Sequence, residues 1–382
     1  MRVALVIDAF GGGGGVDGYL RRLALFLRER GAEVELVVGR GNPDGPWRVR
    51  NLQSGGSGAA GRARAFADAF EALNAQRPWD VSLAVRPVRS ADLYQPHGGL
   101  ELDAAMARDP KAAWPLARKI WRRYSPLARA MQELEAAQMQ RAKAVLAVSG
   151  LVVRQIEQRY ADAVAKTELL ALAIDHHVFT PRGAKTDYRA RFQLADDAPL
   201  FVFAGYNARL KGLDEAIRAL AREPELRKAH LLVAGVAKPP RLSVADTARL
   251  RGRIHMLGPL KEIAPAFREA DALLHPTWYD PCSTVVLEAL ACGCPVVTTR
   301  RNGATEIESP SLAVIENPRD TRALAVAVTR LIEGGDALRR TAVAAVQTRA
   351  EREHFSKLLE VLRRYAPRAG SPTVRSRRPL AV

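Results

Sequence analysis

One stretch of this 382-residue chain concentrates side chains able to do chemistry: Leu274-His275-Pro276-Thr277-Trp278-Tyr279-Asp280-Pro281-Cys282-Ser283-Thr284, then Glu288 within an otherwise apolar run to Cys294, and Pro295-Val296-Val297. The pattern predicts a strand entering a loop at Asp280, followed by a helix that begins near Ser283, a good N-cap residue. Glu288 then lies five residues, about 7.5 Å, along that helix from its start. A carboxylate on an apolar helix requires a partner, such as a ligand hydroxyl or a buried arginine. Open N–H groups at Ser283 and Thr284 are expected to face an anion. One extended ligand carrying a sugar, a phosphate and a ribose could meet Asp280, the helix start and Glu288 together.

A second cluster lies upstream in Gly205-Tyr206-Asn207-Ala208-Arg209-Leu210-Lys211-Gly212, where two cations occupy a loop between a strand and a helix. Arg209 and Lys211 there could neutralise a diphosphate, or be solvated surface charges. Near the N-terminus, Gly11 to Gly15 follow an apolar strand and precede a helix. Gly13-x-Gly15-x-x-Gly18 fits the dinucleotide fingerprint by letters, but five consecutive glycines make that match nearly automatic. The fingerprint also expects an acidic residue after the second strand, and Gly39-Arg40 stands there. Arg40 would suit NADP, so a nicotinamide oxidoreductase remains an alternative. At minimum the glycines admit close backbone approach, and the helix behind them favours a phosphate; an unliganded loop is the plainer option.

The elements that must position these residues are legible from hydrophobic pattern. Val3 to Ile7 is an unbroken apolar run, and Leu20, Leu23, Ala24 and Leu27 recur at helical spacing. Gly31 ends that helix, and Val34 to Val38 is the next strand. Residues 145–149 end another strand. The polar stretch 182–198 reads as a linker. Beyond it come strands at Leu200–Ala204, Leu231–Ala234, Ala272–His275 and Pro295–Thr298, with a helix from about Leu213. Two parallel α/β halves in tandem are expected, with ligands beyond the carboxyl ends of the strands, in the cleft between the halves.

Length and composition agree with two globular domains: 48% of residues are hydrophobic and 26% charged, which rules out wholesale disorder. Lys plus Arg number 58 against 41 Asp plus Glu, a net charge of +17, so an anionic partner is expected. The basic residues are spread and form no nucleic-acid reader motif. No apolar run approaches the roughly 18 residues of a membrane span, so the expectation is a cytoplasmic protein, at most peripheral on the inner face of the plasma membrane. Cys282, Cys292 and Cys294 are too few and too clustered for a disulfide framework, and their spacing is not that of a zinc site. They read as small buried residues.

Taken in order, these motifs resemble the family-4 retaining glycosyltransferases with the GT-B fold. The resemblance rests on Asp280-x7-Glu288, on the preceding His275-Pro276 and on Glu288-Ala-Leu-Ala-x-Gly293-x-Pro295-Val-Val. The later Gly303-Ala-Thr-Glu306-Ile307, the Gly205 to Gly212 loop and the N-terminal glycines before Asp17 extend it over nearly the whole chain. It implies two Rossmann-like domains facing across a cleft. Residues 1–180 would be the acceptor-binding domain and 181–350 the nucleotide-sugar-binding domain. A helix over 351–367 would return to the first domain, ahead of a disordered basic tail, 368–382.

It implies further that Arg209, Lys211 and the helix start at Ser283 and Thr284 stabilise a leaving diphosphate without a metal or other cofactor. Glu288 would hold ribose hydroxyls and Asp280 the donor sugar, while Gly14 and Gly15 admit the donor phosphates. His97, in Tyr94-Gln-Pro-His97-Gly98-Gly99, stands where the family often places a histidine near the transferred sugar, for orientation or acid–base work. The sequence departs from the family in having Asp280 for Glu and Tyr206 for Arg, with Arg209 a candidate replacement. Likeness to the lipopolysaccharide-core branch, including the basic aromatic segment Trp114 to Tyr124, implies UDP-glucose as donor. The implied acceptor is a glycolipid or polysaccharide such as the lipopolysaccharide core, reached at an anionic membrane surface. A non-catalytic nucleotide-sugar-binding protein is the remaining alternative.

Overall fold

The computed structural model describes residues 1–11, 14–52, 55–107, 125–236 and 243–366. The Trp114 to Tyr124 segment, Gly13 of the glycine motif and the tail after 367 lie outside the described residues.

Two parallel sheets follow one another along the chain. The first contains β1 (Arg2–Ile7), β2 (Glu33–Val38), β3 (Arg48–Asn51), β4 (Val81–Ala84), β5 (Leu93–Tyr94), β6 (Ala144–Ala147) and β7 (Thr167–Leu169), in the order β3-β2-β1-β4-β5-β6-β7. The second contains β8 (Leu200–Ala204), β9 (His230–Ala234), β10 (Ile254–Gly258), β11 (Ala272–His275), β12 (Val296–Thr299) and β13 (Leu312–Ile315), in the order β10-β9-β8-β11-β12-β13. Every paired strand runs parallel to its neighbour. Central strands such as β4, β6 and β8 are buried along their whole length, which is why they read as continuous apolar runs.

Each sheet has one place where the winding reverses. In the first, the chain runs outward from β1 to β2 and β3, then returns to lay β4 on the other side of β1. In the second, β8, β9 and β10 run one way and β11 starts the other. Loops leaving the two strands at such a point diverge and open a crevice at their carboxyl ends. The crevice of the first sheet lies after β1 and β4, and that of the second after β8 and β11.

The helix Gly15–Glu29 follows β1 and buries Leu20, Leu23, Ala24 and Leu27, the four positions its spacing picks out. Full burial of each leucine contributes about 2 kcal/mol. Gly31, at φ +79°, reverses the chain after it, a conformation that glycine adopts without strain. The stretch 182–198 holds one helical turn, Tyr188–Arg191, tied to the second sheet by Arg189, whose guanidinium donates to Asp271 at 3.0 Å.

The helix Glu351–Tyr365 comes back against the first half. Phe355 packs on Tyr19 and Phe26 at ring separations of 5.4 and 5.5 Å, Arg22 pairs with Glu351 at 2.7 Å, and Arg364 pairs with Glu168 at 2.7 Å. The three cysteines are buried, and burial pushes the Cys282 and Cys292 thiols up to about 12, so neither is a ready nucleophile or metal ligand. Among the described residues no helix is long and apolar enough to cross a membrane.

Candidate active site

The crevice of the second sheet is built from the two loops that carry the motif residues. Gly212, at φ +84°, ends the loop after β8; a Cβ there would lie 2.1 Å from the Pro276 carbonyl oxygen, so only glycine lets the two loops touch. Trp278 N–H donates to Leu210 O at 2.8 Å and locks them together. Lys211 is thereby delivered to Asp280, and its Nζ donates to Oδ2 at 2.6 Å.

His275, at the end of β11, stands on the other side of the carboxylate, with Nε2 3.5 Å from Asp280 Oδ2 and 3.3 Å from Ser283 Oγ. Burial by itself would raise the Asp280 pKa, but Lys211 and His275 outweigh it and hold the carboxyl well below the usual range. Burial also favours neutral His275. Asp280 is thus a largely buried carboxylate, favoured in its ionised form and clamped between a lysine and an imidazole. Arg209 lies exposed on the same loop as Lys211, as does Tyr206.

The helix Thr284–Ala291 starts directly after this loop, with Ser283 as its N-cap. The expectation of an open N–H at Ser283 is corrected here: that group donates to Asn302 Oδ1 at 3.2 Å, because Asn302 bridges the Asp280 strand segment and caps both this helix and the turn at Gly303. Thr284 N–H has no acceptor among the described residues, so one of the two expected groups is available. One turn further on, Glu288 is half-buried. Burial pushes its carboxyl up to about 7, and Arg22 together with a hydrogen bond from Thr284 offsets only part of that shift. Arg22 belongs to the first half of the chain, so Glu288 already feels the opposite wall.

That wall is close. A Cβ at Gly15 would lie 3.5 Å from Thr284 Oγ1, whereas one at Gly14 would meet open space. Gly15 and Thr284 are each the first residue of a helix. Two helix N-termini therefore converge across the cleft with almost no side chain between them, and each carries the partial positive charge of unsatisfied N–H groups. Such an arrangement favours an anion.

The loop after β11 is also gripped from the first half. Tyr279 OH donates to Gln155 Oε1 at 3.0 Å and Ser149 Oγ donates to the Pro281 carbonyl at 2.5 Å, while in the turn after β12 Glu306 accepts from Gly150 N–H at 2.8 Å. Gly99, at φ +70°, lies so near Tyr279 that a Cβ would fall 1.8 Å from its hydroxyl oxygen. The His97-Gly98-Gly99 turn therefore abuts the Asp280 loop.

His97 itself is held by Gln95 Oε1 at 3.0 Å and by the Tyr19 ring at 4.3 Å. Behind it, Tyr19 OH lies 3.0 Å from Gln95 Oε1 and 2.9 Å from His354 Nε2, and His354 Nδ1 donates to Ala171 O at 2.9 Å. Burial first, and the neighbouring His354 second, push His97 down to about 3. It is neutral at physiological pH, which suits orientation and removes it as a proton donor of imidazolium type. Sequence reasoning singled out His275 only as part of the motif before Asp280, and had no signal for Asn302, Tyr19, Gln95 or His354 as parts of this site. The contacts that bring Asn302, Tyr19, Gln95 and His354 into the site span 19 residues from Ser283 to Asn302, 76 from Tyr19 to Gln95 and 335 from Tyr19 to His354.

Among the described residues no group of three or more His, Cys, Asp or Glu side chains is placed to hold a metal ion.

Residues 198–334 match the family described as Glycosyl transferases group 1. The lipopolysaccharide glucosyltransferase WaaG of Escherichia coli (strain K12) is 34% identical over 115 residues, 29% of this chain and 31% of that protein. A D-inositol 3-phosphate glycosyltransferase of Kineococcus radiotolerans is 27% identical over 338 residues, 77% of this chain and 74% of that protein. For the first of the curated relatives, the chain spans between about a third and a half of their length. The crystal structure of WaaG superposes with a TM-score of 0.77 at 21% identity, covering 94% of this chain and 99% of that one. Anabaena Alr3699/HepE in complex with UDP-glucose superposes at 0.70 and 17% identity, covering 95% and 100%. The two facing parallel-sheet domains are thus the GT-B fold.

Proposed function

The chain carries a glycosyl transferases group 1 domain within a GT-B fold, and from that premise we propose that it transfers a hexose from a nucleoside diphosphate sugar, UDP-glucose by preference, to a saccharide acceptor. The observation that carries this reading is the approach of two helix N-termini, where a Cβ on Gly15 would lie 3.5 Å from Thr284 Oγ1, beside the Lys211–Asp280 pair.

The donor diphosphate lies between the helix ends, where backbone N–H groups and the Lys211 and Arg209 cations stabilise the charge that grows as the glycosidic bond breaks. Their positive charge takes the place a metal ion would have. Asp280, fixed by Lys211 and His275, accepts hydrogen bonds from the donor sugar's hydroxyls; Glu288 accepts them from the ribose. Neutral His97 orients the sugar from the opposite wall. The acceptor hydroxyl attacks on the face from which the diphosphate leaves, and a phosphate oxygen takes its proton, so the anomeric configuration is retained.

The similarity to WaaG and to D-inositol 3-phosphate glycosyltransferases favours a glycolipid or phosphorylated saccharide acceptor, of which the lipopolysaccharide core is one. The excess of basic residues suits such a substrate at the inner face of an anionic membrane. The test is release of UDP from UDP-glucose, with and without acceptor, in excess chelator. Full activity with chelator and an α-linked product by NMR support the reading. Loss of activity with chelator removes metal independence, and an inverted product removes the retaining course.

A further inference from the structure

The first sheet has a crevice of its own, and nothing in the donor chemistry uses it. A cavity of about 140 Å³ opens where Asp8 leaves β1, Gly39 and Arg40 leave β2, and Arg86 leaves β4. Glycine is required at its floor: a Cβ on Gly39 would lie 2.7 Å from Asp8 O and 2.9 Å from the Phe66 ring.

The charges in this pocket are sorted by depth. Arg86 is held inside by Glu101 at 3.3 Å and Asp8 at 3.8 Å. Arg40 and Arg62 line the exposed edge, and neither has a carboxylate partner among the described residues. Three guanidiniums face two carboxylates, leaving one net positive charge, and the uncompensated part sits at the rim. Glu135, behind Glu101, does not reverse this balance, because burial and then the Glu101 charge push it up to about 8. Phe66, Leu127 and Met131 supply an apolar wall.

We propose that this pocket binds a phosphorylated sugar, with Arg40 and Arg62 on the phosphate oxygens, Asp8 and Arg86 on the ring hydroxyls, and the apolar wall against the ring's C–H face. A carboxylate beside an arginine offers both acceptor and donor to a sugar hydroxyl, and two unpaired guanidiniums give the fork geometry that phosphate favours. The assignment of this ligand as the acceptor rests on the glycosyltransferase reading. Its place supports that assignment: a Cβ on Gly98, next to His97, would lie 3.0 Å from Arg86 Nη1, so the pocket adjoins the turn that borders the donor site. The phosphate can belong to a soluble sugar phosphate or to the headgroup of a glycolipid.

The experiment titrates the full chain with glucose 6-phosphate, glucose, inorganic phosphate and phosphatidylinositol vesicles, and separately with UDP. Saturable binding of glucose 6-phosphate, stronger than that of glucose or phosphate, is expected. The double change Arg40→Gln plus Arg62→Gln should weaken it by at least about tenfold while leaving UDP binding unchanged, which also reports that the variant is folded. Vesicle binding abolished by the same double change, without a response to glucose 6-phosphate, supports the pocket with a lipid-borne ligand. Absence of both responses, or binding indifferent to the two arginines, overturns the proposal. If UDP does not bind the wild type but glucose 6-phosphate binding depends on the arginines, the pocket stands and the acceptor assignment falls with the glycosyltransferase reading.

Discussion

The two halves solve one problem in opposite ways. Each places a carboxylate and a cation on the two loops that diverge at the reversal of its sheet. In the second half the cation, Lys211, comes from the first strand's loop and the carboxylate, Asp280, from the other, at 2.6 Å and with the carboxylate almost wholly buried. In the first half the roles are exchanged: Asp8 follows β1 and Arg86 follows β4, at 3.8 Å and with both side chains about 30% exposed. On the proposed reading the tight pair would fix charges for a step in which charge develops, whereas the loose one leaves its hydrogen-bonding capacity open. A parallel sheet thus supplies the crevice in both cases, and the depth of the ion pair decides what the crevice is suited to do.

The comparison breaks most visibly in turnover. Asp280→Asn should lower kcat with UDP-glucose by two to three orders of magnitude, and donor affinity by much less. Asp8→Asn should leave kcat nearly intact and act on the acceptor KM. Equal losses in kcat would show that the halves do not divide the work this way.

Stability is the next contrast. Lys211→Met strands a buried carboxylate and should cost about 3 kcal/mol in a urea titration, whereas Asp8→Asn should cost no more than about 1 kcal/mol. Glu288 sharpens the donor side. Its carboxyl sits near 7, so it is mostly neutral below that pH and mostly ionised above. As the ionised form is the better acceptor for ribose hydroxyls, UDP affinity should rise by up to about tenfold from about pH 6 to about pH 8. Glu288→Gln should flatten the rise; a profile unchanged in that variant would place the titration elsewhere. The smallest effect is expected at the support of His97: Tyr19→Phe removes one buried hydroxyl and should cost about 1 kcal/mol of stability, with a measurable change in donor KM.

The residues that sequence alone revealed share a property: their signal is local. Strands such as Leu200–Ala204 read as apolar runs because both faces of the sheet are covered, and Asp280 and Glu288 stand out because a charged group interrupts an apolar pattern. What stayed hidden depends on distant partners. Lys211 and Asp280 were legible as separate residues, but their pairing, 69 positions apart, was not. Ser283 looked like an open N-terminus because its acceptor, Asn302, belongs to the next strand connection. The chain of hydrogen bonds from His354 through Tyr19 and Gln95 to His97 joins the last helix to the first sheet, and no spacing announces it. Arg40 was conspicuous only as a misfit in a dinucleotide motif, and it gains meaning beside Arg62 and Arg86.

The most direct test of a donor site at the second crevice is calorimetric titration of the wild type and of Glu288→Ala with UDP, GDP, ADP and NADPH. Saturable one-to-one binding of UDP, weakened in Glu288→Ala, is the predicted result. Binding of NADPH alone, or UDP affinity unchanged by the loss of Glu288, would contradict it.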